Sequence, residues 1–180
     1  MSGAGSFGLW VDLRALLLII VANSTPVVLA WLSPRSAAWP IDSGRRLGDG
    51  RPLFGPHKTW RGFIAAVLMS AAAGVAVSLG WAIGAAFGAL ALSGDLLSSF
   101  LKRRLNCPSG RWVPLLDQLP EALLPLVVLR SQLSLSAGSM LATAVVFTLL
   151  DMIISKLIAE HRHYAGWLRG RASTRECDRR

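Results

Sequence analysis

The stretch FIAAVLMSAAAGVAVSLGWAIGAAFGALAL, residues 63–92, decides the fold, because it contains no charged residue. As one helix rising about 1.5 Å per residue it would run about 45 Å, whereas a bilayer's hydrocarbon core is about 30 Å thick and takes roughly 20 residues. The step Gly80-Trp81, with Gly84 and Gly88 after it, offers a backbone break and an interfacial aromatic anchor. The stretch therefore predicts two spans, about 62–79 and 82–101, joined by a tight turn. Its richness in Gly and Ala fits helices in close contact.

Outward from this pair, the same length criterion marks further spans at about 11–32, 115–130 and 137–158. Arg14 lies close enough to the start of the first to snorkel out of it. The chain, residues 1–180, thus reads as a single all-α, polytopic membrane domain of about five transmembrane helices. Cytoplasmic loops are expected at 34–61 and 102–114, and a basic tail at 159–180. A composition of 53% hydrophobic and 16% charged residues excludes an ordinary water-soluble domain of this size. Residues 1–12 carry no Lys or Arg, so the first apolar segment reads as a retained span rather than a signal peptide.

Charge sidedness supports this count. Of the 19 Lys and Arg residues, 17 fall in the segments 34–61, 102–114 and 156–180. Five crossings put all three segments on one side, which the positive-inside rule makes cytoplasmic, with the N-terminus outside. A single crossing by residues 63–92 would place the first basic loop opposite the other two. The net charge of +9 alone would suggest nucleic acid, but cations parcelled between spans meet lipid headgroups or an anionic substrate instead. No nucleic-acid or protein partner is implied. Cys107 and Cys177 form no CxxC pair and are expected as free cytoplasmic thiols.

Ionisable residues at membrane depth are functional candidates by default. Asp95, Ser98, Ser99 and Lys102 fall at i, i+3, i+4 and i+7, one polar stripe at a helix end that continues into Arg103 and Arg104. An Asp–Lys pair pinning that helix end would leave the extra positive charge unexplained. Asp117-Gln118, at the mouth of the fourth span, would by itself serve as a helix cap. Beside Asp95 on one membrane face, Asp117 becomes half of a divalent-cation site, because Mg²⁺ is commonly held by one or two carboxylates plus substrate phosphates. The loop from Asp42 to Gly62, with Asp49, is punctuated by Gly and Pro and ends His57-Lys58-Thr59-Trp60-Arg61-Gly62. Those donors crowd the start of a helix, where anions are favoured. Asn23 and Pro26 interrupt the first span and read as interhelical contacts. His161 and His163 in the tail read as solvated, and Asp151 as facing another helix.

Ala22-Asn23 with Pro26-Val27, the Asp42–Gly62 loop, Gly94-Asp95 through Arg104, and Leu116-Asp117-Gln118-Leu119 come in an order that resembles the CDP-archaeol synthase family, similar in reaction to CDP-diacylglycerol synthases. The resemblance implies CTP as co-substrate, Mg²⁺ as cofactor, a lipid phosphate as acceptor and a CDP-lipid as product. It gives Asp95, Asp117 and Lys102 the catalytic positions, with Asp95 and Asp117 as metal ligands. Substrate and phosphate contacts would come from His57, Lys58, Thr59, Arg61, Ser98, Ser99, Arg103, Arg104, Asn23, Asp49 and Gln118. Archaeal members usually carry Lys where Ser98 stands and an acidic-aromatic pair where this chain has Pro120-Glu121, so the sequence looks like a bacterial-type member. That leaves ether and ester lipid phosphates both open. The reading from another class is a non-catalytic lipid-binding or transport protein. A transporter is expected to show internal repeats and midplane polar groups. Here the charges gather at one interface.

Overall fold

The computed structural model describes the backbone of residues 3–33, 38–107 and 114–177, and side chains within 13–33, 38–107 and 116–157. Five helices follow in order: α1 Gly3–Leu32, α2 Trp60–Ala76, α3 Trp81–Arg104, α4 Pro114–Val128 and α5 Ala137–Cys177. Among the described residues there is no strand, only isolated bridges between Pro40 and Thr59 and between Arg46 and Pro52. The all-helical membrane architecture is the one the sequence called for.

The charge-free stretch folds as a hairpin of two helices. Gly74 O accepts hydrogen bonds from Leu79 N at 2.9 Å and Gly80 N at 3.1 Å, ending α2. Gly80, with φ +86°, then starts α3 in a conformation that side chains with a Cβ rarely adopt. The two helices approach to backbone contact: a Cβ on Gly84 would lie 2.3 Å from Ser70 O, and one on Gly88 2.7 Å from the Ser70 side chain. Lipid tails are as apolar as leucine, so this close van der Waals contact, rather than water exclusion, holds the helices together.

α3 is the central element, packed against α1, α2 and α4. Phe87 is wholly buried among Ala15, Leu18 and Ile19 of α1, Ala122 and Leu126 of α4, and Phe147 of α5. Nearer the charged end, Ala22, Ala66, Ala91 and Leu92 make a second cluster of small contacts between α1, α2 and α3. Outward-facing residues such as Leu68, Leu141 and Ile153 remain exposed, as a lipid-facing surface requires.

Three segments, Leu13–Leu32, Trp81–Arg104 and Ala137–Leu157, are long and apolar enough to cross a membrane, while Trp60–Ala76 is a shorter apolar helix. α4 has only 15 residues and contains Pro120 and Pro125. These prolines leave the carbonyls of Leu116 and Glu121 outside the helical ladder. The helix ends differ from the expected spans in two places. α1 begins at Gly3, and α5 runs through most of the expected tail to Cys177. Extending a helix is far easier than nucleating one, and in α5 the Ala, Glu, Arg and Leu residues beyond position 158 favour extension past the apolar part. Arg35, Arg111, Arg179 and Arg180 lie outside the described residues, as do the side chains of His161, His163 and Cys177.

Candidate active site

The loop between α1 and α2 is a folded unit built around Asp42. Its ends are tied by Ile41 N donating to Lys58 O at 2.8 Å and Trp60 N to Trp39 O at 3.1 Å. Asp42 is 5% exposed; its Oδ2 accepts from Phe54 N at 3.0 Å and Gly55 N at 2.9 Å, and its Oδ1 from Gly44 N at 3.0 Å. Burial pushes this carboxyl up, but the backbone N–H groups of Gly55, Phe54 and Gly44 together outweigh it and hold the carboxyl below its usual range. Within the loop, Leu47 N donates to Arg51 O and Gly50, at φ +74°, makes the turn.

Arginines clasp this loop to the end of α3. Arg51 Nη1 donates to the carbonyls of Arg104 at 2.8 Å and Arg103 at 3.3 Å, using acceptors that a helix C-terminus leaves unsatisfied. Arg104 reciprocates, forming an ion pair with Asp49, donating to Pro52 O at 2.8 Å and stacking its guanidinium 5.3 Å from the Phe100 ring centre. Arg103, 6% exposed, donates to Cys107 O at 2.7 Å. Arg103, Arg104 and Asp49, expected among the substrate contacts, thus carry structural bonds that set the wall of the site. Cys107 is a free thiol.

This clasp brings the chemistry together. Lys58, from the loop, hydrogen-bonds both carboxylate oxygens of Asp95 on α3. Lys102, two turns further along α3, pairs with Asp117 Oδ1 of α4 at 2.6 Å. Ser98 is wholly buried and donates to Asp95 O at 2.9 Å, and Ser99 is buried beside it. Thr59 caps α2, its Oγ1 accepting from Gly62 N at 3.3 Å, while His57 is exposed at the entrance and Arg61 is partly buried in the first turn. Asn23 lies on the same stretch of α1 as Pro26, whose Cβ is 3.2 Å from a Cβ placed on Gly62, and its amide nitrogen is buried without a hydrogen-bond partner. Gln118 donates to Asp151 Oδ2 of α5 at 2.7 Å. Asp151 therefore does face another helix.

The sequence reading gave no role to Asp42 or Glu121. The first had a usable signal, an Asp ahead of Ser-Gly that makes a side-chain-to-backbone turn. Glu121 sits one turn beyond Asp117 on α4, where that helix touches α3 one residue before Asp95. The contact depends on Gly94, where a Cβ would stand 2.2 Å from Pro120 O and 2.8 Å from Glu121 N.

Among the described residues no three His, Cys, Asp or Glu side chains converge to hold a metal ion by themselves. The donor set still suits Mg²⁺, which takes only one or two carboxylates when phosphate oxygens complete its shell.

The family model described as CarS-like, CDP-archaeol synthase, matches residues 71–164. The chain is 34% identical to the CDP-archaeol synthase of Hyperthermus butylicus over 163 residues, covering 80% of this chain and 83% of that one. It is 37% identical to that of Thermococcus gammatolerans, covering 75% and 80% respectively. The match to the Staphylothermus marinus relative, at 38% identity, covers 58% of this chain and spans 60% of the relative's length. A solved structure of an intramembrane enzyme for archaeal membrane lipids biosynthesis superposes with a TM-score of 0.67 at 33% identity, over 79% of this chain and 90% of that one. On the extent of these matches, the chain belongs to the CDP-archaeol synthase family.

Proposed function

We propose that the protein is a CTP-dependent cytidylyltransferase of membrane lipid biosynthesis, converting a lipid phosphate to a CDP-lipid with release of pyrophosphate. The observation that carries this reading is the pairing of Lys58 with Asp95 and of Lys102 with Asp117, four charges from a loop and two helices meeting at one end of the bundle. Family membership supplies the reaction class. The same pairing supports a common side for the loops at 34–61 and 102–114, and with it five crossings, an outside N-terminus and an active site facing the cytoplasm from the plasma membrane.

In the reaction, an oxygen of the lipid phosphomonoester attacks the α-phosphorus of CTP. A new P–O bond forms, the bond to the bridging oxygen of the β-phosphate breaks, and pyrophosphate carries that electron pair away. The attacking group is already ionised near neutral pH, so no general base is needed. Catalysis then reduces to positioning and charge neutralisation. Lys58, Lys102, Arg61 and His57 supply cations and donors to the phosphates, with the N-terminus of α2 behind them. Arg104 and Asp49, with Arg51, hold the loop that presents Lys58, and Arg103 ties down the turn after α3. Asp95 and Asp117 would hold Mg²⁺, whose chemistry there is to offset charge on the phosphate oxygens. Both aspartates already sit against ammonium groups, so the charges of the site are balanced before substrate binds.

Purified protein in detergent, given CTP, Mg²⁺ and a panel of lipid phosphates, tests the reading. Pyrophosphate release with an ether or ester lipid phosphate is expected, and the preferred lipid names the natural class. Absence of release with every lipid would favour the non-catalytic lipid-binding or transport reading.

A further inference from the structure

We infer that Asp151 of α5 is a positioning residue for Asp117: through Gln118 it fixes the rotation of α4, and with it the direction in which Asp117 meets Lys102. The inference deepens the cytidylyltransferase reading and rests on it. Asp117 and Gln118 are neighbours on α4, and successive residues of a helix face about 100° apart. Asp117 pairs with Lys102 of α3 at 2.6 Å, while Gln118 Nε2 donates to Asp151 Oδ2 of α5 at 2.7 Å. Two polar contacts thus hold one helix from two sides, and the one on α5 lies outside the charged centre.

α4 needs such a hold. It has 15 residues, and Pro120 and Pro125 each remove a hydrogen bond from its ladder. Apolar contact tolerates a small rotation of a helix, whereas a hydrogen bond weakens as its angle closes. Neither partner is placed for packing. Gln118 is 1% exposed, and its Oε1 is buried without a partner, so a leucine would fill the space without stranding an oxygen. Asp151 is half-buried one turn beyond Phe147, which itself lies in the core, so both are on the inward face of α5. Among the described residues no cation forms an ion pair with Asp151. A carboxyl group and an amide at membrane depth are costly unless bonded, and the bond they make is to each other, beside Asp117. Side-chain atoms lie about 5–6 Å from a helix axis, so a rotation of about 10° moves the Asp117 carboxyl by about 1 Å. Misplacement of that size costs on the order of a hundredfold in rate.

The test compares Asp151→Leu, which removes the acceptor, with Asp151→Asn, whose amide oxygen can still accept from Gln118. Both are made in the full chain and purified in detergent, beside Gln118→Leu and the double variant Gln118→Leu/Asp151→Leu. We expect Asp151→Leu to lower kcat by on the order of a hundredfold with KM for the lipid phosphate within about twofold, and Asp151→Asn to recover most of the loss. The double variant should lose little more than either leucine variant alone, because both remove the same bond. A second readout needs no turnover. Amine-reactive labelling, quantified by mass spectrometry, should rise severalfold at Lys102 in Asp151→Leu and stay near the parent level in Asp151→Asn. Lys58, which pairs with Asp95 instead, is the internal control and should stay unchanged in both. Equal losses of kcat in the leucine and asparagine variants, unchanged labelling of Lys102, or an equal rise at both lysines would overturn the inference, the last by showing only a loosened fold. Should Asp151→Leu not fold, Gln118→Leu carries the same comparison with Asp151→Asn. If the parent protein releases no pyrophosphate, the function reading fails by itself, and the labelling still decides what Asp151 does.

Discussion

Gly94→Ala is the sharpest single perturbation of this site, because the added methyl has nowhere to go. Its Cβ would stand 2.2 Å from Pro120 O, 2.5 Å from Pro120 C and 2.8 Å from Glu121 N. All three are backbone atoms, so no side chain can swing aside. Restoring ordinary contact, about 3.5 Å between heavy atoms, needs α3 and α4 to part by roughly 1 Å. Forcing extra volume into a packed core typically costs about 1–3 kcal/mol. Against this, alanine is a better helix former than glycine by about 1 kcal/mol, so the net loss is about 0–2 kcal/mol. The effect on activity should be larger, because the helices that part carry Asp95 and Asp117. A displacement of that size corresponds to on the order of a hundredfold in rate. The assay is thermal unfolding in detergent beside pyrophosphate release at saturating CTP. Gly48→Ala is the control, since no atom lies within 4 Å of a Cβ there and its φ is ordinary. If Gly94→Ala unfolds no earlier than Gly48→Ala and turns over at the parent rate, the helix contact and the site built on it are misdrawn.

Asp95→Asn should lower turnover by at least about a hundredfold in protein that still expresses, because a charge opposite the phosphates is lost but the shape is kept; retained activity would remove Asp95 from the chemistry. For the Lys102–Asp117 pair, Lys102→Met or Asp117→Asn alone should destabilise by about 3 kcal/mol and the double variant by less, since removing one partner strands the other charge. Additive losses in thermal unfolding would show that the pair is not coupled. Asp42 sets a pH limit on the loop. Its folded pKa lies below the ordinary value of 3.8, so its contribution is fully present above about that value and is lost as pH falls through the lower, folded one. The protection of Phe54 and Gly55 against hydrogen exchange, corrected for the intrinsic pH dependence of amide exchange, should be constant from neutral pH down to about 4 and fall below it. Asp42→Asn should quicken exchange already at neutral pH by about thirtyfold, for about 2 kcal/mol of lost charge-assisted bonding.

Much of this architecture is visible in the sequence, since a bilayer leaves few ways to satisfy a backbone. A charge-free run too long for one crossing, broken at Gly80-Trp81, specified the α2–α3 hairpin, and the break falls where Gly80 takes φ +86°. The polar stripe of Asp95, Ser98, Ser99 and Lys102 follows from helical periodicity, and in the fold Ser98 and Ser99 are buried while Lys102 meets Asp117 of α4. Which cation meets which carboxylate did not follow. Periodicity pairs Asp95 with Lys102 along one helix, yet each finds its partner on another element, because the Arg51 and Arg104 clasp swings Lys58 over α3. Nor did the bare count of basic residues show that Arg104 fastens the loop through Asp49 and Pro52 while Lys58 and Lys102 reach the aspartates. Gln118 looked like part of the site by adjacency to Asp117, but successive residues of a helix face about 100° apart, and it reaches Asp151 instead. Glu121 escaped notice for the complementary reason. Its place beside Asp95 follows from a backbone contact between α3 and α4 that only the packing at Gly94 reveals.

The most direct examination of the whole account follows the phosphorus atoms themselves. With CTP labelled at the α-phosphate, the label should move into the organic, lipid-soluble fraction when a lipid phosphate and Mg²⁺ are present, and with CTP labelled at the γ-phosphate it should stay in water as pyrophosphate. Transfer of the γ-label to lipid, or no movement of the α-label with any lipid phosphate, would contradict the assignment of cytidylyl transfer to the Lys58–Asp95 and Lys102–Asp117 centre.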